Sequence, residues 1–241
     1  MADPLKQFRV VLCRTSHPGN IGAAARAMKT MGLDDLRLVA PLRFPAPEAE
    51  WMASNANDVL QKARVHATLA EAIGDCVAGY ALSARPREWS LAVRPVREAA
   101  LDAVGRAAAG PVAIVFGSEK AGLSNEELLT CQTLVHIPVD PGYTSLNLSQ
   151  AVQVVAYELR MACGEGAVPP PRAEPLATVA DVESLYAYLE KVSADSGFFD
   201  PAEPKRLRER FRRLFSRIVL EREEVNILRG LLKSLTEKRN R

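Results

Sequence analysis

Three short segments of the chain carry the polar residues whose types and spacing are best suited to chemistry. The most informative is the third, an apolar run that breaks at Pro138, turns at Pro141 and Gly142, and opens a helix before residue 153. A turn rich in backbone N–H groups and hydroxyls, between a buried strand and a helix N-terminus, is where an α/β protein holds a small polar ligand. The segment therefore predicts a binding place before it indicates a reaction.

The first segment, residues 16–26, also has a purely structural interpretation. Asn20 is of the residue type that caps a helix, and the pattern predicts that it does so here. Arg26 then lies away from the buried stripe of that helix. An exposed helical arginine is more often a surface charge than a catalytic group, so this segment alone leaves both interpretations open. The predicted buried stripe consists of Ile21, Ala24, Met28 and Met31.

The second and third segments have structural explanations of the same kind. In residues 115–127 a strand ends at Gly117, and Ser124 and Glu127 have the spacing of a capping box. Asn147 is placed to cap the helix of the third segment. Glycines at such positions are ordinary turn residues. Taken singly, none of the three segments requires a ligand.

The elements that must position these segments alternate between strand and helix. Short apolar runs predict strands at 8–13, 36–40, 76–82, 112–117 and 134–139. Periodic patterns predict helices at 20–31, 57–63, 96–108, 125–131 and 147–163. This order predicts an α/β fold, with a mainly parallel sheet covered by helices on both faces.

The composition changes after residue 164. A Pro- and Gly-rich stretch follows, and beyond it only helical patterns occur, at 179–194, 203–217 and 221–235. We therefore predict a catalytic-type α/β domain over 1–164, a semi-rigid linker over 165–177 and an all-helical extension over 178–241.

The net charge of +2 hides an asymmetry between the two parts of the chain. Residues 1–200 carry 18 Lys+Arg against 23 Asp+Glu, a net charge of −5, whereas residues 201–241 carry 13 against 6, a net charge of +7. Arginine is the residue type preferred for phosphate contacts. The basic run at 205–213 is either a solvated helix face or an RNA-facing surface.

Other function classes have no signal in this sequence. No stretch reaches the roughly 20 apolar residues that span a bilayer, and no apolar leader follows the N-terminus, so we expect a cytoplasmic protein that does not enter membranes. The four cysteines and three histidines are scattered, which signals neither disulfides nor a metal site. We expect reduced, mostly buried thiols.

In their joint order the three segments resemble the motifs of the SPOUT superfamily, in particular its TrmH-like branch of RNA 2′-O-methyltransferases. The first motif resembles Gly19-Asn20 through Arg26, the second Phe116-Gly117-x-Glu119 with Gly122-Leu123, and the third Ile137-Pro138 with Ser145-Leu146-Asn147-Leu148. Within this branch, residues 15–20, 25–33, 83–87, 151–158 and 226–230 are similar to bacterial enzymes that methylate the ribose of anticodon-loop nucleotide 32 in tRNA. Position 118 is serine where relatives often carry a larger polar or basic residue.

The resemblance implies a trefoil-knotted α/β domain that binds S-adenosylmethionine in the loops of the knot, without a metal. It also implies an obligate homodimer whose active sites draw on both chains. The cofactor-binding residues carried over from the motifs are Ser83, Gly117, Glu119, Ile137, Ser145, Leu146 and Asn147.

The catalytic residues carried over are Arg26, Ser145 and Asn20. Arginine stays protonated in proteins and cannot be the general base. We expect Arg26 to bind the phosphate beside the target ribose and orient its hydroxyl, with Ser145 or a phosphate oxygen relaying the proton. Arg26 is expected to act on cofactor bound to the partner subunit.

The RNA-binding residues expected from the resemblance and from the basic tail are Arg85, Arg87, Arg212 and Arg213. Arg85 and Arg87 follow a predicted strand, and they could equally be a salt-bridging pair on a loop. The implied function is S-adenosylmethionine-dependent 2′-O-methylation of cytidine or uridine at nucleotide 32 of tRNA. Methylation of another tRNA or rRNA site, and a non-catalytic RNA-binding role, remain alternatives. A dinucleotide enzyme is disfavoured because no G-x-G-x-x-G follows the first strand.

Overall fold

The centre of the computed structural model is a sheet in which every strand pair is parallel. The structure describes residues 3–83, 92–164, 174–200 and 206–239. The strands are β1 (Phe8–Cys13), β2 (Asp35–Val39), β3 (Arg64–His66), β4 (Ala78–Leu82), β5 (Ala92–Pro95), β6 (Val112–Phe116) and β7 (Thr133–His136). They form one seven-stranded sheet in the order β3-β2-β1-β6-β4-β7-β5.

Helices connect the strands and continue past the sheet. They are α1 (Pro18–Thr30), α2 (Pro47–Ala53), α3 (Asn57–Gln61), α4 (Leu69–Ile73), α5 (Val96–Ala107), α6 (Asn125–Thr130), α7 (Leu148–Gly164), α8 (Val179–Asp195), α9 (Leu207–Phe215) and α10 (Arg222–Arg239). Short 3-10 turns occur at Pro4–Gln7 and Ser54–Ala56.

The central strands are apolar along their whole length because both faces of the sheet are covered. In β6 every residue is buried, and successive side chains enter opposite faces. Ile114 belongs to the apolar cluster shared with α1, α5 and α7. Val115 belongs to the cluster on the other face, with residues of α4 and α6. The predicted parallel sheet between two helical layers is confirmed.

Strand order decides where the three motif segments meet. Strand β4 lies between β6 and β7, and β1 lies on the other side of β6. Because parallel strands end at the same edge of a sheet, the segments after β1, β4, β6 and β7 all emerge side by side. This edge is where the site predicted from sequence should form.

The elements that sequence patterns missed are short or lie at the edges of the sheet. β3 and β5 are the two edge strands, with only three and four residues, and β5 ends at a proline. Edge strands lack the continuous apolar run that marks a buried strand. α2 and α4 span only seven and five residues, which is too short for a clear helical period.

One cap predicted from sequence is wrong. Asn20 does not cap α1, because the helix begins at Pro18 with His17 in the N-cap position. Proline is suited to the first helical position, since its ring fixes φ and its missing N–H has no partner there anyway. Asn20 is therefore inside the first turn, and its side chain is free to point at another segment. The capping box of Ser124 and Glu127 is confirmed.

The helical extension packs against the α/β domain. The Val179 N–H donates to the Cys76 carbonyl at 2.8 Å, and the Val179 side chain is buried in the cluster beneath α4 and α6. Leu176 and Glu221 form an isolated β-bridge that joins the start of α8 to the start of α10. Most of the predicted linker, residues 165–173, lies outside the described residues. The division into domains and the trefoil threading stay predictions.

Two negative findings concern the described part of the chain. None of its helices is long and apolar enough to cross a membrane. Its His, Cys, Asp and Glu residues form no group that could hold a metal ion. All four cysteines are free, with Cys163 partly exposed and the other three buried.

Candidate active site

The segments that follow β4, β6 and β7 enclose a pocket of about 270 Å³ at the carboxyl edge of the sheet. This is close to the lower end of the roughly 300–1,000 Å³ typical of small-molecule sites. Six of the seven cofactor-binding residues predicted from sequence line it, namely Ser83, Gly117, Glu119, Ile137, Ser145 and Leu146. The seventh, Asn147, is the next residue in the chain and stands at the start of α7.

The wall after β6 is a tight loop that only glycine permits. Gly117 packs so closely on the returning chain that an added Cβ would lie 2.1 Å from the Gly122 carbonyl carbon. Gly122 has φ +69°, a conformation that favours glycine. Ser118 and Gly122 exchange backbone hydrogen bonds of 3.3 and 2.9 Å. The loop shape therefore requires glycine at position 117 and favours it at position 122, and it holds the loop backbone against the pocket.

Arg14 supports this loop from the neighbouring strand. It follows β1, with φ +50°, and its guanidinium donates to the Gly122 carbonyl at 3.1 Å and to the Glu127 carboxylate. The other oxygen of Glu127 accepts from the Ser124 N–H at 2.7 Å in the capping box of α6. Sequence reasoning missed Arg14. The available signal was a basic residue directly after a buried strand.

Glu119 joins the second segment to the first. Its carboxylate accepts from the Ser16 N–H at 3.0 Å, the Ser16 hydroxyl at 2.8 Å, the His17 N–H at 3.3 Å and the Asn20 amide at 2.8 Å. Burial raises the pKa of the carboxyl group, but these hydrogen bonds to the charged form outweigh burial and lower the pKa of Glu119 to about 2. Glu119 is thus ionised at any physiological pH.

Asn20 and Asn147 extend this connection to the third segment. The Asn147 amide donates to the Asn20 side-chain oxygen at 3.1 Å. The Asn147 oxygen accepts from the Ser149 N–H at 2.9 Å and hydroxyl at 2.7 Å, so the predicted cap of α7 is present. A chain of hydrogen bonds from Glu119 through Asn20 to Asn147 therefore connects the three motif segments around the pocket.

Arg26 lies outside this pocket. It is exposed on α1 and lines a separate groove between α1 and α7, together with Thr30, Ser149, Gln150 and Gln153. The structure therefore brings Asn20, Ser145 and the predicted cofactor residues to one place within a single chain, and leaves Arg26 on an outer surface.

The predicted RNA-binding arginines differ in their surroundings. Arg85 and Arg87 lie outside the described residues. Arg212 pairs with the Glu183 carboxylate, lies 4.9 Å from the centre of the Tyr186 ring and donates to the Leu129 carbonyl at 3.4 Å. These contacts hold α9 against α8 and against the end of α6. Arg213, by contrast, is exposed.

Comparison with known proteins identifies the family. Residues 7–157 match the model of the SpoU rRNA Methylase family, which is more than half of the 241-residue chain. The chain belongs to the SpoU rRNA methylase family. Residues 180–241 of this SpoU methylase match a second model, the C-terminal domain of the tRNA methyltransferase TrmJ.

Relatives of this SpoU methylase cover nearly its full length. A Pseudomonas aeruginosa protein named tRNA (cytidine/uridine/adenosine-2′-O-)-methyltransferase TrmJ is 47% identical over 239 residues, covering 95% of this chain and 93% of its own. The crystal structure of TrmJ from Z. mobilis ZM4 superposes with a TM-score of 0.83 at 38% identity, covering 95% of this chain and 98% of its own. The resemblance and the fold class predicted from sequence are confirmed.

A more distant neighbour shares the fold alone. The SpoU methyltransferase AviRb from Streptomyces viridochromogenes, solved in complex with the cofactor AdoMet, superposes with a TM-score of 0.52 at 21% identity, covering 67% of this chain and 60% of its own.

Proposed function

We propose that this SpoU methylase transfers a methyl group from S-adenosylmethionine to the ribose 2′-oxygen of cytidine or uridine at nucleotide 32 of tRNA. The observation that carries this proposal is the pocket formed by the three motif segments and connected by Glu119, Asn20 and Asn147. The names of the full-length relatives support a tRNA ribose substrate, and nucleotide 32 comes from the sequence resemblance. A tRNA substrate also favours a cytoplasmic location.

The pocket fits the proposed cofactor in size and chemistry. Its apolar lining suits a flat adenine ring, and its loop backbone supplies polar groups for a ribose. The ionised Glu119 at its edge provides a negative charge near a positively charged sulfonium. S-adenosylmethionine, when bound, supplies an activated methyl group with a neutral leaving group. The apolar lining consists of Leu82, Phe116, Val135, Ile137, Leu148 and Ala151.

The residues of the chain then have to orient the ribose and accept its proton. Asn20 and Asn147 keep the loops at a fixed separation, which limits the position of any ribose at the pocket mouth. Ser145 lines the pocket and is exposed, so its hydroxyl can accept the 2′-OH proton while it gives its own proton to a phosphate oxygen. Arg26 binds that phosphate through its guanidinium.

A homodimer reconciles the position of Arg26 with this role. Arg26 is exposed in a groove separate from the pocket of its own chain. A second subunit seated on the α1–α7 surface would place its own pocket beside this arginine. We therefore propose that each Arg26 acts on RNA bound at the partner's cofactor site.

The helical extension provides a further surface for tRNA. On α9 the exposed residues Arg210 and Arg213 are three residues apart, which places them on one face, and the exposed Arg217 follows in the turn after the helix. We propose that this face contacts tRNA phosphates, with Arg213 at its centre. Arg212 holds the helix in place, and Arg85 and Arg87 remain proposed RNA contacts.

Ribosomal RNA is the second candidate substrate, because the matching family is named for rRNA methylation. Purified protein should be incubated with S-adenosylmethionine and either unmodified tRNA transcripts or rRNA fragments, and 2′-O-methylation mapped by nucleotide-resolved mass spectrometry. Methylation at tRNA nucleotide 32 is the expected result. Methylation elsewhere in tRNA would disprove the position, methylation only in rRNA would disprove the substrate, and measured cofactor binding without product on either RNA would overturn the proposed reaction.

A further inference from the structure

Arg14 is a basic residue beside the pocket that the proposed reaction does not use. Its side chain is 40% exposed, and it is not one of the residues that line the pocket. One terminal nitrogen of its guanidinium donates to the Gly122 carbonyl at 3.1 Å, and the other donates to the Glu127 carboxylate. A planar guanidinium holds two acceptors in a fixed relation to each other. Arg14 therefore fixes two points of the chain that follows β6.

The first of these points is where the pocket loop closes. The five consecutive residues 118–122 all line the pocket. The Gly122 carbonyl accepts from Arg14 at 3.1 Å, from the Ser118 N–H at 3.3 Å and from the Ser118 hydroxyl at 3.5 Å, so the bond from Arg14 is the shortest of the three. Gly117 packs directly against the Gly122 carbonyl carbon. A displacement of this carbonyl would therefore alter the loop at both of its ends.

The second point is a buried carboxylate in the first turn of α6. Glu127 is only 8% exposed, and its other oxygen accepts from the Ser124 N–H at 2.7 Å. A buried carboxylate is costly unless it is paired, and within the described ranges its salt bridge is with Arg14 alone. Ser124 is only two residues beyond Gly122. The ion pair therefore also holds the chain where it leaves the pocket loop.

The segment after β1 thus holds the pocket loop at two places. Glu119, in the middle of the loop, accepts hydrogen bonds from residues 16–20, and Gly122, at its end, accepts from Arg14. Arg14 has φ +50°, a strained conformation for a residue with a side chain, and its own N–H donates to the Val39 carbonyl at 2.8 Å. Such strain persists only where the surroundings fix the residue. The sheet edge therefore fixes Arg14, and Arg14 fixes the loop.

We propose that Arg14 is a positioning residue for the cofactor, which it does not touch. It sets the shape of the 118–122 loop through the Gly122 carbonyl and the Glu127 carboxylate. This inference rests on the proposed use of S-adenosylmethionine. A loop that is held in its binding conformation before the ligand arrives loses less conformational freedom on binding. Arg14 therefore lowers the dissociation constant of the cofactor and leaves methyl transfer from the bound cofactor nearly unchanged.

Calorimetry of the full-length protein with S-adenosylmethionine, without RNA, tests this inference. Arg14→Gln should raise the dissociation constant at least tenfold, because one neutral amide cannot hold both acceptors. Arg106→Gln removes the ion pair with Asp102 inside α5; it is the matched control and should bind the cofactor like the wild type. Equal affinities of Arg14→Gln and the wild type would overturn the positioning role. A wild type that binds no cofactor would overturn the proposed function, and this inference with it.

A second variant keeps the test decisive if Arg14→Gln does not fold, which circular dichroism would reveal. Arg14→Lys retains a positive charge beside the buried Glu127, so the fold should be preserved. Its ammonium lacks the planar fork that holds two acceptors, and the affinity for S-adenosylmethionine should fall about fivefold. Wild-type affinity in Arg14→Lys would show that charge alone suffices and would overturn the role assigned to the Gly122 carbonyl.

A double-mutant cycle tests whether Arg14 acts through Glu127. Glu127→Gln removes the charge and keeps an oxygen for the Ser124 N–H. Residues that act as one unit have non-additive effects, so Arg14→Gln with Glu127→Gln should bind the cofactor no more weakly than Arg14→Gln alone. Fully additive losses of affinity would refute the pairing as the route to the loop.

Steady-state kinetics with unmodified tRNA separates positioning of the cofactor from a general loss of structure. Arg14→Gln should raise the KM for S-adenosylmethionine by the same factor as the dissociation constant and change kcat less than about twofold, since the missing contact acts on binding alone. A lower kcat at unchanged KM would contradict the proposed role of Arg14.

Discussion

Replacing Glu119 by glutamine should destabilise the protein in a manner that depends on pH. The side chain of glutamine has one oxygen, whereas four donors from Ser16, His17 and Asn20 converge on the Glu119 carboxylate. The substitution removes the negative charge and turns an N–H₂ group towards donors. The free energy of unfolding should therefore fall, and the first and second motif segments should separate.

The magnitude follows from the pKa of Glu119, which folding lowers from 4.5 to about 2. A shift of about 2.5 units corresponds to roughly 3.4 kcal/mol. The carboxylate is only partly buried, so water screens the interaction and we expect about half of this, about 1.5–2 kcal/mol at pH 7. Because the folded pKa is lowered, the stabilisation is present above pH 4.5 and is lost as the pH falls towards 2.

Urea unfolding of the wild type and of Glu119→Gln at pH 7 and pH 3 measures this directly. At pH 3 less than half of the difference should remain. Glu126→Gln makes the same chemical change at an exposed position of α6 and should alter stability by less than about 0.5 kcal/mol. The loss of unfolding free energy in Glu119→Gln should be larger at pH 7 than at pH 3, and larger than the loss in Glu126→Gln. Either equality would refute the stabilising role of the Glu119 charge.

Three other outcomes are expected. Gly117→Ala should weaken S-adenosylmethionine binding at least tenfold in calorimetry, because its Cβ would lie 2.1 Å from the backbone of the loop. The control Gly164→Ala, whose Cβ meets nothing within 4 Å, should bind S-adenosylmethionine with the wild-type affinity. Equal affinities of the two variants would contradict the loop geometry. Arg26→Lys should abolish nearly all turnover and leave cofactor affinity intact, since lysine cannot bind a phosphate with two parallel hydrogen bonds; retained activity would show that charge alone suffices. Arg212→Ala should lower the free energy of unfolding by about 1–3 kcal/mol, because it leaves the Glu183 carboxylate unpaired. Arg213→Ala should leave the melting temperature unchanged and reduce the salt dependence of tRNA binding. The reverse pattern would contradict a structural role for Arg212 and an RNA-binding role for Arg213.

Local sequence patterns were sufficient for the elements that are long or fully buried. The strand at 8–13 was predicted with the bounds it has, because every residue after Arg9 in that strand is apolar. The stripe predicted for the helix at 20–31 was equally clear, since Ile21, Ala24 and Met28 are buried and Met31 is partly buried against the same cluster. The edge strands were missed because each pairs with only one neighbouring strand and does not need the continuous apolar run of a buried strand.

The candidate site was likewise predicted only in part from the sequence. Motif order in the sequence identified the residues that line the pocket, because each motif combines a strand end with a turn. It did not identify Arg14 or Ser16, which contribute through hydrogen bonds to residues more than 100 positions away. Such contacts leave no local pattern in a single sequence. Arg212 was predicted as an RNA contact from the resemblance and from the basic tail, and only the tertiary structure reveals its pairing with Glu183.

The sequence by itself determined which segments are the buried strands, which polar residues follow them, and that the basic charge is concentrated after residue 200. These are properties of neighbouring residues, set by periodicity, propensity and composition. Only the tertiary structure decided that β4 lies between β6 and β7, that Asn20 turns towards Glu119 instead of capping its helix, and that Arg26 lies outside the pocket. Those outcomes depend on which strands pair and which faces are buried, and the competition among such long-range contacts is resolved only when the whole chain packs.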